Sequence, residues 1–256
     1  MREYARGHDC LEVLLRRALD DPVEPGERCG RCSVCVRALP GGLSAEVPRE
    51  SAESARTHVR GLDVELEPRA MFPPGLAAAS GRAGWKGKIP VSSVGSAGRA
   101  LAFADDIGWE EMASVTGPLA ADGPAPEWLV AGLSVLLDRW VPAWGERPDV
   151  VVPVPSSGKP LLVGSLAAAC AARLSVPVVE CFEQVGPRPA STVSPASRAA
   201  ALSTRLRLLE GVDVPDATVL LVDDTWRTGW TATLATVLLR EAGARTVVPL
   251  VAHKLP

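Results

Sequence analysis

The chain has 256 residues, of which 47% are apolar and 22% charged, and its net charge is -3. That composition suits a globular protein with a buried core rather than a disordered chain, and the slight negative balance excludes a protein that coats nucleic acid by bulk positive charge. No run reaches the roughly eighteen apolar residues of a membrane helix and no apolar stretch follows the first residues as in a signal peptide, so a cytoplasmic protein of one to two domains is expected.

Charge is unevenly spread. Residues 1–42 hold seven basic and seven acidic side chains, 43–125 eight and eleven, and 126–256 twelve and twelve, so the whole deficit lies in the middle. Four of the six cysteines fall in the first 35 residues, and in a reducing compartment clustered thiols point to metal before disulfides.

Residues 1–20 are predicted as a helix, with Tyr4, Cys10, Leu11, Leu14, Leu15, Ala18 and Leu19 mostly on one face and Pro22 as a stop. A knuckle from Pro25 to Cys35 follows, and Pro40, Gly41 and Gly42 open a polar linker running to about Glu53. From Gly61 to about Val115 short strand-like segments (Val64 and Leu66; Lys88 to Val91; Ala100 to Ala104) broken by Gly and Pro predict a small β-rich unit. Asp122 to Pro126 reads as a second linker, and Glu127 to Trp144 as an amphipathic helix.

Beyond it the order is regular: strand Val150 to Val154, helix Leu161 to Leu174, strand Val176 to Val179, a Pro-rich loop, helix Ala196 to Leu208, strand Thr218 to Val222, helix Trp230 to Ala242, strand Arg245 to Leu250. Apolar strands alternating with helices predict an α/β domain with a parallel sheet covered on both faces. The expected units are thus 1–42, 43–125 and 126–256.

The cysteine spacing is Cys10, then Cys29, Cys32 and Cys35. Two-residue spacers let a tight knuckle present successive thiolates to one ion, and Cys10 on the preceding helix closes a fourth corner, which suits a closed structural zinc site. For a segment this short, metal binding replaces a missing core. An iron–sulfur cluster and four free cysteines are the alternatives. The arrangement resembles the zinc-binding segment of RecQ-type DNA helicases, a helix with one Cys followed by Cys29, Gly30, Arg31, Cys32, Ser33, Val34, Cys35. It departs in having Ser33 where that family usually has Asp. The resemblance implies that the segment steadies a helicase motor and contributes to DNA contact, for which Arg2, Arg6, Arg16, Arg17 and Arg31 are the candidates. A motor is not encoded here: Gly84, Trp85, Lys86, Gly87, Lys88 has the wrong spacing for a phosphate-binding loop.

A second signal runs Val219, Leu220, Leu221, Val222, Asp223, Asp224, Thr225, Trp226, Arg227, Thr228, Gly229, Trp230, Thr231. A buried strand ends in two carboxylates, which can accept hydrogen bonds from vicinal hydroxyls. The following turn and helix start offer backbone N–H groups and the Thr228 and Thr231 hydroxyls to an anion. Together these describe a ribose 5-phosphate site. The run resembles the phosphoribosyl pyrophosphate (PRPP) motif of type I phosphoribosyltransferases. That resemblance implies that Asp223 and Asp224 bind the ribose hydroxyls, that Thr225 to Thr231 cradle the 5′-phosphate, and that magnesium can bridge pyrophosphate and ribose oxygens. Ser156, Ser157, Gly158 and Lys159, after the first strand, stand where the family has its pyrophosphate loop, and Arg188 and Arg198 where it has a flexible closing loop.

Two departures bear on activity. Where purine-salvage members carry a carboxylate able to act as base, this chain has Arg227. Trp226 and Trp230 are bulky, and either can stack a base or block one. Ligand binding with or without transfer is therefore left open. The combination resembles the C-terminal half of an actinobacterial type of RecQ-like DNA helicase, supported in the middle by Leu66 to Arg69 and by Gly98 to Ala102 before Asp105 to Trp109. It implies that Met1 is internal to a longer protein, with the motor upstream and DNA as a partner of the whole.

Overall fold

In a computed structural model, residues 2–44, 46–104, 106, 108–186, 194–212 and 214–256 are described. The elements in order are α1 (Arg2–Arg6), α2 (Leu11–Ala18), α3 (Ser33–Val36), α4 (Arg49–Arg60), β1 (Val64–Leu66), α5 (Leu76–Ser80), β2 (Gly98–Phe103), α6 (Met112–Thr116), α7 (Glu127–Trp144), β3 (Val150–Pro153), α8 (Pro160–Leu174), β4 (Phe182–Gln184), α9 (Pro195–Arg205), β5 (Leu206–Leu208), β6 (Thr218–Trp226), α10 (Trp230–Glu241) and β7 (Thr246–Lys254). The chain divides into two compact units, 1–55 and 56–256. Among the described residues no helix is long and apolar enough to cross a membrane.

The larger unit is α/β, built on a five-stranded sheet of order β1-β2-β7-β6-β3. Only β1 is antiparallel to its neighbour; β2, β7, β6 and β3 run parallel. Alternation along each strand feeds two cores. Val219, Leu221, Val247 and Val251 face one side, where α10 contributes Leu234, Ala235 and Leu238 and α9 contributes Ala199 and Leu202. Leu220, Val222, Val248 and Leu250 face the other, packed by Leu133, Leu136 and Leu137 of α7 and Leu162, Leu166 and Cys170 of α8. Both faces of the sheet are covered, which is why β6 and β7 read as unbroken apolar runs.

Several expected boundaries shift. The helix over 1–20 breaks at Gly7, whose φ of 61° is left-handed, giving α1 and α2 instead. The strand over 176–179 reduces to one parallel bridge, Val151 with Val178, because the stretch sits at the sheet edge with Pro177 unable to donate. The helix over 196–208 stops at Arg205, and Leu206–Leu208 pair with β4 as a separate two-stranded antiparallel sheet. The middle segment differs most. It carries α4, α5 and α6, and its strands belong to the main sheet: Ala100 and Ala102 of β2 lie opposite Val251 and His253 of β7. Leu66, Phe72, Trp85 and Ile89 sit in the same core as β6 and α10. Division of the chain therefore falls at 55/56 rather than at 42 and 125.

Candidate functional site

Strand β3 is followed by α8 on one face of the sheet, whereas the neighbouring parallel strand β6 is followed by α10 on the other. Where consecutive connections leave a parallel sheet in opposite directions, a crevice opens beyond the strands' carboxyl ends, and ligands bind there. Register brings the two loops into it, since Pro153 lies opposite Val222 and the Val154 N–H donates to the Val222 carbonyl at 2.8 Å. The Asp223 to Thr231 run and Ser156 to Gly158 thus emerge side by side.

The strand continues further than its apolar run predicts, to Trp226, so Asp223 and Asp224 lie within an extended β6 rather than at its end. Asp223 is half-buried and its Oδ1 accepts the Asp224 N–H at 2.8 Å; Asp224 is buried and its Oδ1 accepts from the Thr225 hydroxyl at 3.2 Å. Residues 227–229 make the turn, with Arg227 exposed. Gly229 adopts φ 76° as the residue before α10, and the N–H groups of that helix's first turn have no carbonyl one turn back to bond, which leaves them directed at the crevice.

Both tryptophans of the run are buried, at 8% exposure for Trp226 and 6% for Trp230. A cavity of about 10 Å³ between Arg69, Ile89, Trp226, Ala232 and Thr233 has room for no more than one water. Trp226 and Trp230 are therefore core residues supporting the loop and offer no slot there for a stacked base.

Ser156 is half-buried and Ser157 and Gly158 are exposed, but Lys159 turns away. Its side chain is 7% exposed, and its ammonium donates to the carbonyls of Val115 (2.9 Å), Ala120 and Ala121 (3.2 Å). A cation so engaged is not presented to a diphosphate, contrary to the expectation for that loop. The N-terminus of α8 is also filled from within: Asp122 accepts from the Leu161 and Leu162 N–H groups at 3.0 and 3.1 Å. Burial works against the Asp122 charge, yet these N–H groups, that of Gly123 and the nearby Lys159 hold its carboxyl below the usual range. Asp122 looked like linker because its partners lie about forty residues on. Gln184 of β4 adds a tie, its amide donating to the Pro155 carbonyl at 2.6 Å. Arg198 lies half-buried on α9, and Arg188 lies outside the described residues.

Cys170 and Cys181 are core thiols. Burial raises Cys170 to about 12, and burial with Glu180 raises Cys181 to about 11, which disfavours the thiolate in both. His253 is buried between Thr116 (Nδ1 to Oγ1, 2.8 Å) and the Ala104 carbonyl (Nε2 to O, 2.8 Å). Because that carbonyl only accepts, Nε2 carries the proton, while Nδ1 faces a Thr116 hydroxyl that also reaches the Met112 carbonyl at 3.0 Å. It ties α6 to β7.

In the smaller unit the four predicted thiols converge, with Cys10, Cys29, Cys32 and Cys35 sulfurs all within 4.8 Å of one another. Cys29 and Cys35 sulfurs are 3.9 Å apart and Cys32 and Cys10 sulfurs 4.0 Å. Four sulfurs at about 2.3 Å from a tetrahedral ion would stand about 3.8 Å apart, so the spacing fits a metal such as zinc. Backbone N–H groups of Cys29 and Cys32 donate to Cys10 (3.3 Å) and Cys29 (3.2 Å) sulfurs, the support a thiolate cluster needs. Donation from Val13 and Cys29 N–H groups lowers the Cys10 thiol. Burial opposes ionisation of Cys32, but N–H groups of Cys35 and Leu11 bring it down to about 6. Burial raises Cys35 to about 11, with its thiol neighbours adding to the rise. Of the arginines proposed for phosphate contact, Arg16 is paired with Asp21 and Glu27, Arg17 with Asp9 at 3.5 Å, and Arg31 with Glu12 at 2.7 Å.

No protein-family model matches the chain, and no curated protein matches it. Among solved structures it is similar to the allosteric regulatory enzyme of purine biosynthesis, at 28% identity over 41% of this chain, with a TM-score of 0.31. It is also similar to a purine phosphoribosyltransferase from Pyrococcus horikoshii Ot3, at 16% identity over 51% of this chain and 76% of that one, TM-score 0.34. A third is adenine phosphoribosyltransferase from Leishmania tarentolae, at 15% identity over 64% of this chain and 79% of that one, TM-score 0.39. This chain spans 22% of the length of the first.

Proposed function

We propose that residues 56–256 form a phosphoribosyltransferase-like domain that binds a ribose 5-phosphate or PRPP-type ligand. The observation that carries this reading is the juxtaposition, at the switch point between β3 and β6, of two adjacent carboxylates with a Gly229 turn opening α10. Asp223 and Asp224 accept the 2- and 3-hydroxyls, while Arg227 to Thr231 surround the 5-phosphate with backbone N–H groups and the Thr228 and Thr231 hydroxyls. Asp223 and Asp224 would hold a magnesium ion accompanying a diphosphate, and the ion would supply neutralising positive charge.

The geometry favours binding over transfer. Displacement of pyrophosphate at C1 asks for donors on the leaving group, and here Lys159 is spent on three carbonyls while Asp122 occupies the start of α8. Calorimetry with ribose 5-phosphate and with PRPP plus magnesium, followed by analysis of products, tests both levels. Heat without pyrophosphate release is expected; absence of any binding would remove the reading, and base-dependent release would establish a phosphoribosyltransferase instead.

A second reading concerns the whole protein, as an accessory region of a RecQ-like DNA helicase acting in DNA unwinding or repair beside an upstream motor. The four-thiol cluster favours it. The ion pairs of Arg16, Arg17 and Arg31 leave little charge for phosphate in this unit, so any DNA contact is weak and salt-sensitive. Fluorescence anisotropy with forked DNA across a salt series checks it, and a flat response at low salt counts against it.

A further inference from the structure

Arg69, in the segment between β1 and α5, reaches a carbonyl 159 residues ahead of it. Its Nε and Nη2 both donate to the Thr228 carbonyl oxygen, at 2.8 and 2.5 Å, and its guanidinium lies 5.0 Å from the centre of the Trp230 ring. We infer that Arg69 is a positioning residue of the phosphate loop, one that sets and polarises the Thr228–Gly229 peptide so that its N–H is aimed at the anion. This rests on the ribose 5-phosphate reading of the loop.

The peptide bond is planar and trans, so its carbonyl and the N–H of the next residue point in opposite directions. Pinning the Thr228 oxygen on Arg69 therefore directs the Gly229 N–H to the side away from Arg69. A charge-assisted bond to the oxygen also strengthens that N–H as a donor, because hydrogen bonds along one peptide polarise each other. Gly229 cannot swivel to evade the constraint, since its φ is 76° and the Trp226 ring closes one side of it. Meanwhile the Trp230 ring holds the guanidinium plane, which Lys could not reproduce as a bidentate, stacked donor.

The location of the charge adds an independent pointer. A cation beside the start of a helix meets the positive end of its dipole, an unfavourable arrangement that becomes favourable when an anion sits between them. Arg69 is itself exposed, and its Nη1 has no partner among the described residues.

The test compares wild type, Arg69→Ala and Arg69→Lys in the full chain. Ribose 5-phosphate affinity is read by calorimetry, and backbone order of 228–231 by NMR relaxation without ligand. Expected are a small loss of thermal stability, about ten-fold weaker binding in Arg69→Ala, partial recovery on adding guanidinium ion, and little recovery in Arg69→Lys. Greater backbone mobility of Gly229 and Trp230 in the ligand-free Ala variant is the signature of lost positioning. Unchanged order overturns the inference, whether or not affinity falls. If wild type binds no ribose 5-phosphate, the ligand reading fails by itself, while raised mobility in Arg69→Ala still upholds the clamp.

Discussion

Gly229 rests on the edge of Trp226, so closely that a Cβ on Gly229 would come within 2.5 Å of a ring carbon. The last residue of β6 thereby dictates the shape of the turn that opens α10. With φ at 76°, Gly229→Ala carries both a left-handed backbone and a clash with a buried indole. The variant should lose about 1 to 3 kcal/mol of stability and its affinity for ribose 5-phosphate together. Urea unfolding and calorimetry on the same preparation measure the two effects.

Asp223→Asn and Asp224→Asn should each weaken ribose 5-phosphate binding by about ten- to a hundred-fold, since a charged acceptor for a hydroxyl contributes roughly 1.5 to 3 kcal/mol. Inorganic phosphate, which lacks the hydroxyls, should bind both variants as it binds wild type. Equal losses for the two ligands would mean that the carboxylates act on the loop and not on the sugar.

Lys159→Met keeps the stem of a buried side chain but leaves the carbonyls of Val115, Ala120 and Ala121 without their ammonium. Chemical denaturation should show a loss of about 1 to 3 kcal/mol. Affinity for PRPP relative to ribose 5-phosphate should stay constant. A selective loss of PRPP binding would instead return Lys159 to the diphosphate.

The helix start at α8 gives a pH signature. Asp122 has its carboxyl depressed in the folded chain, so its contribution is fully present above the unfolded value near 3.8 and is lost as pH falls through the lower folded value. Asp122→Asn should be less stable than wild type at neutral pH, and the gap should close only in that acid window. Thermal melts from pH 7 to pH 2.5 follow it; a gap that persists to the lowest pH would assign the loss to altered packing.

For the smaller unit, one zinc per chain is expected by metal analysis, with Cys32→Ser reducing both occupancy and resistance of 1–55 to protease. Apparent metal-binding free energies of about 10 to 16 kcal/mol are enough to hold so small a unit folded. Stripping with a strong chelator should therefore unfold 1–55 while leaving the melting of 56–256 in place.

What the amino-acid order alone determined is local. The Asp223 to Thr231 run and the Cys29 to Cys35 knuckle each place their chemistry within a single strand–turn–helix or loop, so spacing and residue type are enough to nominate them. Alternating apolar strands and helices likewise disclosed the parallel α/β fold, because burial on both faces leaves its mark in each segment. Tertiary structure decided everything that depends on distant partners. It enrolled β2 in the main sheet beside β7, turned Lys159 inward to carbonyls 38 to 44 residues away, and set Asp122 on the start of α8. It also brought Arg69 to Thr228 across 159 residues. No periodicity encodes such pairings. They arise only when the chain closes on its core, where a buried ammonium such as that of Lys159, a half-buried carboxylate such as that of Asp122 or an exposed guanidinium such as that of Arg69 meets whichever partners the packed backbone presents.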